Sequence, residues 1–185
     1  ARGSMGGVAP ATGHSPPWRR YAPGGRTVPA VACGAIVHAK GSGRGVGVFE
    51  LYNLHHTQGS VINSSTRGRV EAGDQIMIGG FITGGSTATK VIVRAIGPSL
   101  LSAGVPDALL DPTLEVYDGD GDLVASNDNW RSTQESAIIA TSLAPTNEGE
   151  AAVVETLAPG AYSAIVRGKN DTTGVALFEV YALGQ

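Results

Sequence analysis

The stretch AIVRGKNDTTGVALFEVYAL, residues 164 to 183, carries the strongest signal of fold and organisation in the chain. It repeats residues 35 to 54, AIVHAKGSGRGVGVFELYNL, with ten of twenty positions identical at a spacing of 129. This spacing is too long for a solenoid unit and suits a compact domain. The sequence therefore predicts one whole domain preceded by the end of another, as in a tandem array.

The composition predicts the class of fold. The 185 residues include 27 glycines and 10 prolines, and 42 % of the chain is apolar. Abundant Val, Ile and Thr, broken by frequent turn residues, are typical of all-β proteins. Two or three short strands fit between residues 61 and 82, and six more are predicted at 90–96, 114–117, 123–125, 151–156, 161–167 and 175–183. About eight short strands favour a jelly-roll-like β-sandwich.

One helix is predicted, over residues 132 to 141. Ser132 is followed three residues later by Glu135, which is the spacing of a capping box. We therefore expect the Ser132 side chain to cap this helix.

The repeat and the composition together divide the chain into three parts. Residues 1–26 are rich in Gly and Pro and form an irregular basic arm. Residues 27–54 are the terminal hairpin of a preceding repeat, and residues 55–185 are the β-sandwich repeat. The fold expected is thus a sandwich with an extra hairpin or strand at its N-terminal side.

That leftover hairpin needs a partner, because isolated two-stranded hairpins are only marginally stable in water. Its second strand would expose apolar side chains and unpaired backbone groups. We expect it to pair with the edge of its own following domain or with another copy, by β-strand addition. The predicted assembly strand comprises Val46, Val48, Phe49, Leu51, Tyr52 and Leu54.

Charge is distributed unevenly along the chain. Residues 1–49 hold six basic side chains and no acid, whereas the rest holds sixteen acids and seven bases, so the two parts carry about +6 and −9. This favours docking of the arm on an acidic body, its own or a neighbour's, although a solvated leader fits equally well. Nucleic-acid binding is not expected, since the basic residues are sparse. No stretch is apolar for long enough to predict a membrane-spanning helix.

An acidic turn is the best candidate for a metal site. Oxygen donors cluster there, as Ca²⁺ requires, and Ca²⁺ is the one cofactor that the sequence suggests. The predicted metal ligands are Asp118, Asp120, Asp122 and Asp128. An EF-hand is excluded, because Leu123 stands where its glycine belongs. The alternative is a hairpin whose Asp and Asn side chains bond their own backbone.

The residues that follow are candidates for binding a glycan. Trp130 could stack on a sugar ring, with Asn127 and Asn129 as polar partners, although large aromatic residues more often belong to the core. No nucleophile elbow or Ser-His-acid arrangement is present, so we do not expect an enzyme. Cys33 is the single cysteine and cannot form a disulfide within the chain.

Several phrases resemble a tandem repeat of exported bacterial proteins. They are STRGRV (65–70), IGGFITGG (78–85), VRAIGPSL (93–100), DPTLEVYD (111–118), SNDNW (126–130) and LAPGAYSAIVRG (157–168), with GVALFEVYAL at the end. The last predicted hairpin, from Pro159 to Tyr181, is also similar to the end of the bacterial pre-peptidase C-terminal domain, a β-sandwich of secreted proteins. The resemblance implies an extracellular or cell-surface, non-catalytic accessory module, and brings no established activity with it.

Two functions follow as hypotheses. In the first, the chain is a bead of an extracellular scaffold joined to copies of itself or to adjacent repeats by β-strand addition. In the second, it is a calcium-dependent module that binds a carbohydrate or a cell surface.

Overall fold

The structure is a computed structural model that describes residues 34–37, 39, 41, 43, 45–51 and 63–183. The chain divides into two units between residues 59 and 60, and each unit is described by itself. The described residues of the second unit form eight strands, one short helix and two 3-10 turns, Pro98–Leu101 and Lys169–Asp171. The elements are β1 (Asn63–Val70), β2 (Met77–Thr83), β3 (Thr89–Ile96), β4 (Pro112–Tyr117), β5 (Leu123–Asn127), α1 (Glu135–Ala140), β6 (Ala151–Leu157), β7 (Gly160–Gly168) and β8 (Gly174–Ala182).

The strands form two four-stranded sheets, in the orders β1-β8-β3-β6 and β2-β7-β4-β5. Strand pairs β1 with β8, β2 with β7, β3 with β6 and β4 with β5 are all antiparallel. The chain thus folds as one long hairpin whose successive strand pairs alternate between the two sheets. This is the jelly-roll arrangement, and the prediction of an all-β, jelly-roll-like sandwich of about eight strands is confirmed.

The main core lies between the sheets and follows the two-residue period of a strand. In β4 the residues alternate between buried and partly buried, with Leu114 and Val116 fully enclosed. Five of the eight residues of β3 are buried, because the helix α1 and its flanking loops cover the outer face, where Ile92 joins Trp130 and Ile138 in a second cluster. Burial on both faces explains why β3 is a continuous apolar run rather than an alternating one.

Strand β1 is one of the two or three strands predicted between residues 61 and 82, and Val61 and Ile62 lie outside the described residues. It is an edge strand, paired with β8 alone. Of its eight residues only Val70 is buried. A strand with so little buried surface needs few apolar residues, so hydrophobic alternation did not fix the bounds of β1.

Residues 164–183 do not form a hairpin. This corrects the prediction that their copy, within residues 27–54, is the terminal hairpin of a repeat. β7 lies in one sheet and β8 in the other. Their connection passes through Asn170 and Asp171, both with positive φ. The second half of the repeat therefore crosses between the sheets, and β8 takes a central place with β1 on one side and β3 on the other.

The helix α1 is shorter than predicted, and no capping box forms. Its N-cap is Gln134, without a side-chain cap hydrogen bond. The Ser132 hydroxyl instead donates to the carbonyl of Asn129 at 2.6 Å. No helix in the described part of the chain has the length and apolar character needed to cross a membrane.

The described residues of the first unit, between 34 and 51, include no strand. The predicted extra hairpin is therefore not formed among them. Tyr52 and Leu54 of the predicted assembly strand lie outside the described residues.

Candidate functional site

The acidic turn connects β4 to β5 and uses one of its carboxylates to hold itself together. Asp118 Oδ1 accepts hydrogen bonds from the backbone N–H groups of Asp120 at 3.0 Å and Asp122 at 2.9 Å. Gly121 takes a positive φ of 88°, which a side chain would disfavour. This is the self-bonded hairpin that we named as the alternative to a metal site.

Asp128 lies apart from this turn, which corrects the predicted ligand set. The five residues of β5 separate Asp122 from Asp128. An extended strand rises about 3.3 Å per residue, so Asp122 and Asp128 lie roughly 20 Å apart. Ca²⁺ holds its oxygen ligands at about 2.3–2.6 Å, so one ion cannot join Asp128 to the three turn carboxylates.

Asp128 instead pairs with a lysine from the β7–β8 connection. Its Oδ2 lies 2.6 Å from Lys169 Nζ, and Asp111 Oδ2 lies 3.9 Å from the same nitrogen. The hydrogen bond to Asp128 raises the pKa of Lys169 above its usual value. Within the ranges that the structure describes, no three His, Cys, Asp or Glu side chains could hold one metal ion. Calcium binding at the turn stays a prediction.

Asn127 and Trp130 lie inside the fold. Asn127 is 7 % exposed and its Nδ2 donates to the carbonyl of Asn129 at 3.1 Å. Trp130 is 3 % exposed, its Nε1 donates to the carbonyl of Asn147 at 3.1 Å, and the Arg131 guanidinium lies 4.2 Å from its ring centroid. Such a ring offers no face to a sugar, so its place is in the core, the alternative we gave for it.

Asn127 and Asp128 also line a shallow cleft of about 380 Å³, together with residues of β4 and the loop before α1. Asp128 Oδ1 is buried there without a hydrogen-bond partner. The carboxylate is nevertheless neutralised by Lys169, so the cleft presents no free charge on this side chain.

Sequence reasoning missed a buried carboxylate, Glu150, which is fully enclosed. Its Oε1 accepts from the backbone N–H groups of Gly97 at 3.2 Å and Ser99 at 2.9 Å, and from the Ser99 hydroxyl. A Cβ at Gly97 would lie 2.0 Å from the carbonyl oxygen of Leu109, so only glycine fits. The second half of the VRAIGPSL phrase, GPSL, is thus a structural turn closed on Glu150, and the one available signal was an acid directly before a buried strand.

A second missed group joins β3 to β8. Arg94 Nη2 forms an ion pair with Glu179, and both side chains are at most 14 % exposed. The Tyr181 hydroxyl donates to Glu179 Oε1 at 2.9 Å. Burial of Tyr181, together with this hydrogen bond, raises the pKa of its phenol above 10.0. These three residues sit on the outer face of the sheet, at the centre of the β8 ladder.

The outer edge of β6 is closed by side chains. The Ala152 N–H donates to Asn127 Oδ1 at 3.1 Å, and the Val154 N–H donates to Gln134 Oε1 at 2.8 Å. Gln134 Nε2 returns a bond to the carbonyl of Val154 at 3.0 Å. Backbone groups that would template another strand are thus already occupied, a usual protection of sheet edges.

The opposite situation holds between residues 34 and 51, where large apolar side chains are exposed. Phe49 is 55 % exposed and Leu51 65 %, and the other members of this group are Ile36, Val37, Val46 and Val48. Their counterparts in the repeat include Phe178, Val180 and Val166, all in the main core. Residues of a type that the second copy buries are therefore exposed in the first copy.

Comparison with known proteins leaves the family open. No family model matches the chain, and no curated protein matches it. Among solved structures it is similar to the pre-peptidase C-terminal domain of a collagenase from Bacillus anthracis, at 13 % identity and a TM-score of 0.41. The alignment covers 64 % of this chain and 89 % of that chain. At this identity and TM-score the likeness does not establish a family.

Proposed function

We propose that this chain is a non-catalytic structural module of an extracellular or cell-surface protein, and that residues 35–54 join sandwiches by strand complementation. One observation carries the proposal: a segment that matches β7 and β8 in sequence exposes apolar residues whose counterparts in those strands are buried or partly buried. Burying one large apolar side chain is worth about 1.5–3 kcal/mol. Several such residues on one segment supply a strong drive for docking.

The closed edge of β6 supports a selective mode of joining. A scaffold of sandwiches must avoid indiscriminate edge-to-edge pairing, because open edges lead to aggregation. Here Asn127 and Gln134 occupy the N–H groups of that edge. The charge contrast between residues 1–49 and the acidic remainder adds an attraction between copies that salt would weaken.

The test is refolding of the full chain from urea at increasing protein concentration, followed by light scattering and electron microscopy. We expect oligomers that grow with concentration in the wild-type chain and decline strongly in Phe49→Asp. The matched control is Leu110→Asp, which changes a leucine of the sandwich that is 62 % exposed. It should assemble as the wild type does. A wild-type chain that is monomeric at every concentration, or a Phe49→Asp chain that assembles equally well, would contradict the proposal.

A further inference from the structure

Residues 35–54 match the whole β7–β8 crossing in sequence, and not only one of its strands. In the alignment of the two copies, Gly41 corresponds to Asn170, and Phe49 and Glu50 correspond to Phe178 and Glu179. Gly41 and Asn170 both adopt the left-handed conformation, with φ of 71° and 53°. Positive φ is uncommon for a non-glycine residue such as Asn170, and glycine adopts it without strain, so the first copy can make the same change of direction at Gly41.

The position of β8 in its sheet shows that a strand of this sequence pairs with a neighbour on each side. Phe178 lies opposite Thr66 of β1 on one side and Ala95 of β3 on the other. Both sides of β8 are therefore hydrogen-bonded to neighbours in the sheet. A strand of this sequence belongs in the middle of a sheet, whereas addition to an edge would pair only one of its sides.

The slot between β1 and β3 also holds counterparts for two particular side chains. A Cβ at Gly79 would lie 2.3 Å from the Phe178 ring, so that ring rests directly on a glycine. Glu179 meets the Arg94 guanidinium. A segment with phenylalanine followed by glutamate thus fits a slot that has a glycine beneath it and an arginine beside it.

We infer that residues 35–54 enter the centre of a second sandwich of this fold, between its β1 and its β3, in the register that β8 uses here. Phe49 then rests on the Gly79 of the acceptor, and Glu50 pairs with the Arg94 of the acceptor. This rests on the proposed function and names its acceptor: a copy of this sandwich whose β8 slot is open.

A copy that has already folded is a poor acceptor, because its own β8 is tethered beside the slot at high effective concentration, so wild-type chains are expected to exchange this segment only while they refold together. Ala176→Pro opens the slot. Proline cannot donate to the ladder of a central strand, and Ala176 lies opposite Gly68 in the middle of the β1–β8 pairing.

The experiment mixes two full-length chains, both carrying Cys33→Ser. The acceptor carries Ala176→Pro and Ser65→Cys, and the donor carries Glu50→Cys. Ser65 lies opposite Glu179 and therefore opposite the inserted Glu50. Directly opposed residues of antiparallel strands have Cα atoms about 4.5–5.5 Å apart, within the range that a disulfide spans. The pair is refolded together, oxidised and analysed on a non-reducing gel.

Two acceptors serve as controls, with Ser64→Cys or Thr156→Cys in place of Ser65→Cys. Ser64 is one residue out of register on β1, and Thr156 lies on β6, at the other edge of the same sheet. We expect several-fold more disulfide-linked dimer with Ser65→Cys than with either control. Equal yields, a preference for Ser64→Cys or Thr156→Cys, or no dimer would overturn the inference. A preference for Thr156→Cys with oligomers that still depend on Phe49 would overturn central insertion and leave the proposed function standing.

A second variant avoids dependence on the proline chain. Residues 164–183 of the full chain are replaced by the sequence AIVHAKGSGRGVGVFELYNL. We expect this chain to unfold cooperatively in urea as the wild type does, and to lose that transition when its grafted phenylalanine is changed to alanine. A grafted chain that does not fold, or one indifferent to that phenylalanine, would overturn the inference.

Discussion

Residues 35–54 and 164–183 share half of their sequence, but corresponding apolar side chains differ greatly in how much of their surface is exposed. Phe178 is 2 % exposed and Phe49 is 55 % exposed; Val166 is fully buried and Val37 is 66 % exposed. What the two regions keep in common is local: the left-handed turn residue at Gly41 and Asn170. The comparison teaches that burial depends on the strands that a segment finds beside it, while both copies carry a residue that accepts the left-handed turn.

The largest expected effect comes from the two phenylalanines. Phe178→Ala should lower the free energy of unfolding of the sandwich by about 3–5 kcal/mol, because it leaves a cavity between the sheets. Phe49→Ala should change that free energy by less than about 0.5 kcal/mol, as exposed positions do. Urea unfolding of both variants measures the difference. Equal losses would mean that residues 35–54 are already part of the same cooperative core.

The second largest loss of stability is expected at Gly79, the glycine that lies against the Phe178 ring. Gly79→Ala places a methyl group against the Phe178 ring and should destabilise the sandwich by about 1–3 kcal/mol. Gly45→Ala is the matched control, since a Cβ there meets no atom within 4 Å. Thermal unfolding of the two variants separates them. A neutral Gly79→Ala would show that the ring can move aside, and would weaken the case for glycine as a requirement of the slot.

The third expected effect concerns the charge of Glu179 and of its counterpart, Glu50. Glu179→Gln keeps the shape of the side chain and removes its charge beside Arg94. Charge-assisted hydrogen bonds are roughly twice as strong as neutral ones, so we expect a loss of about 1–2 kcal/mol. Glu50→Gln should leave the unfolding of the sandwich unchanged and reduce the assembly of the full chain. If Glu50→Gln assembles normally, its pairing with Arg94 of an acceptor does not contribute.

The smallest expected effect is a pH dependence. Burial and the hydrogen bond to Glu179 raise the pKa of Tyr181 above 10.0, so the folded state binds its proton more tightly than the unfolded state does. The resulting stability is present below pH 10.0 and is lost as the pH rises through the folded pKa. The raised pKa values of Tyr117 and Lys169 act in the same direction.

Urea unfolding at several pH values around 10 measures this loss. Tyr181→Phe removes the ionisable group, so its stability should fall less steeply with pH than that of the wild type. An unchanged slope in Tyr181→Phe would place the alkaline sensitivity on the other two groups.

Much of the fold could be predicted because its signals are local. The β-branched run of β3 ends at Gly97-Pro98 as expected, and the acidic turn lies between β4 and β5. The bounds of strand β1 were not predicted, since an edge strand buries too little to show a hydrophobic period. The crossing of β7 to β8 looked like a hairpin, because strand pairing depends on residues far apart in the chain.

The candidate site was predicted less well for the same reason. Asp118 and Asp128 are close in sequence, yet an extended strand carries them to opposite ends of β5. Trp130 beside polar neighbours suggested a surface, but the loops and α1 fold over it. Glu150 had almost no sequence signal, because its importance lies in backbone N–H groups about fifty residues earlier in the chain, at Gly97 and Ser99.

By itself, the sequence determined the all-β class, the number of strands, the turns and the existence of a second β7–β8 segment, since these depend on periodicity, on turn residues and on identity between two stretches. Only the tertiary structure decided that β8 is central, that its glutamate meets Arg94, and that the edge of β6 is closed. The physical reason is that hydrogen-bond partners and burial are set by neighbours in space, which one strand's residues do not specify.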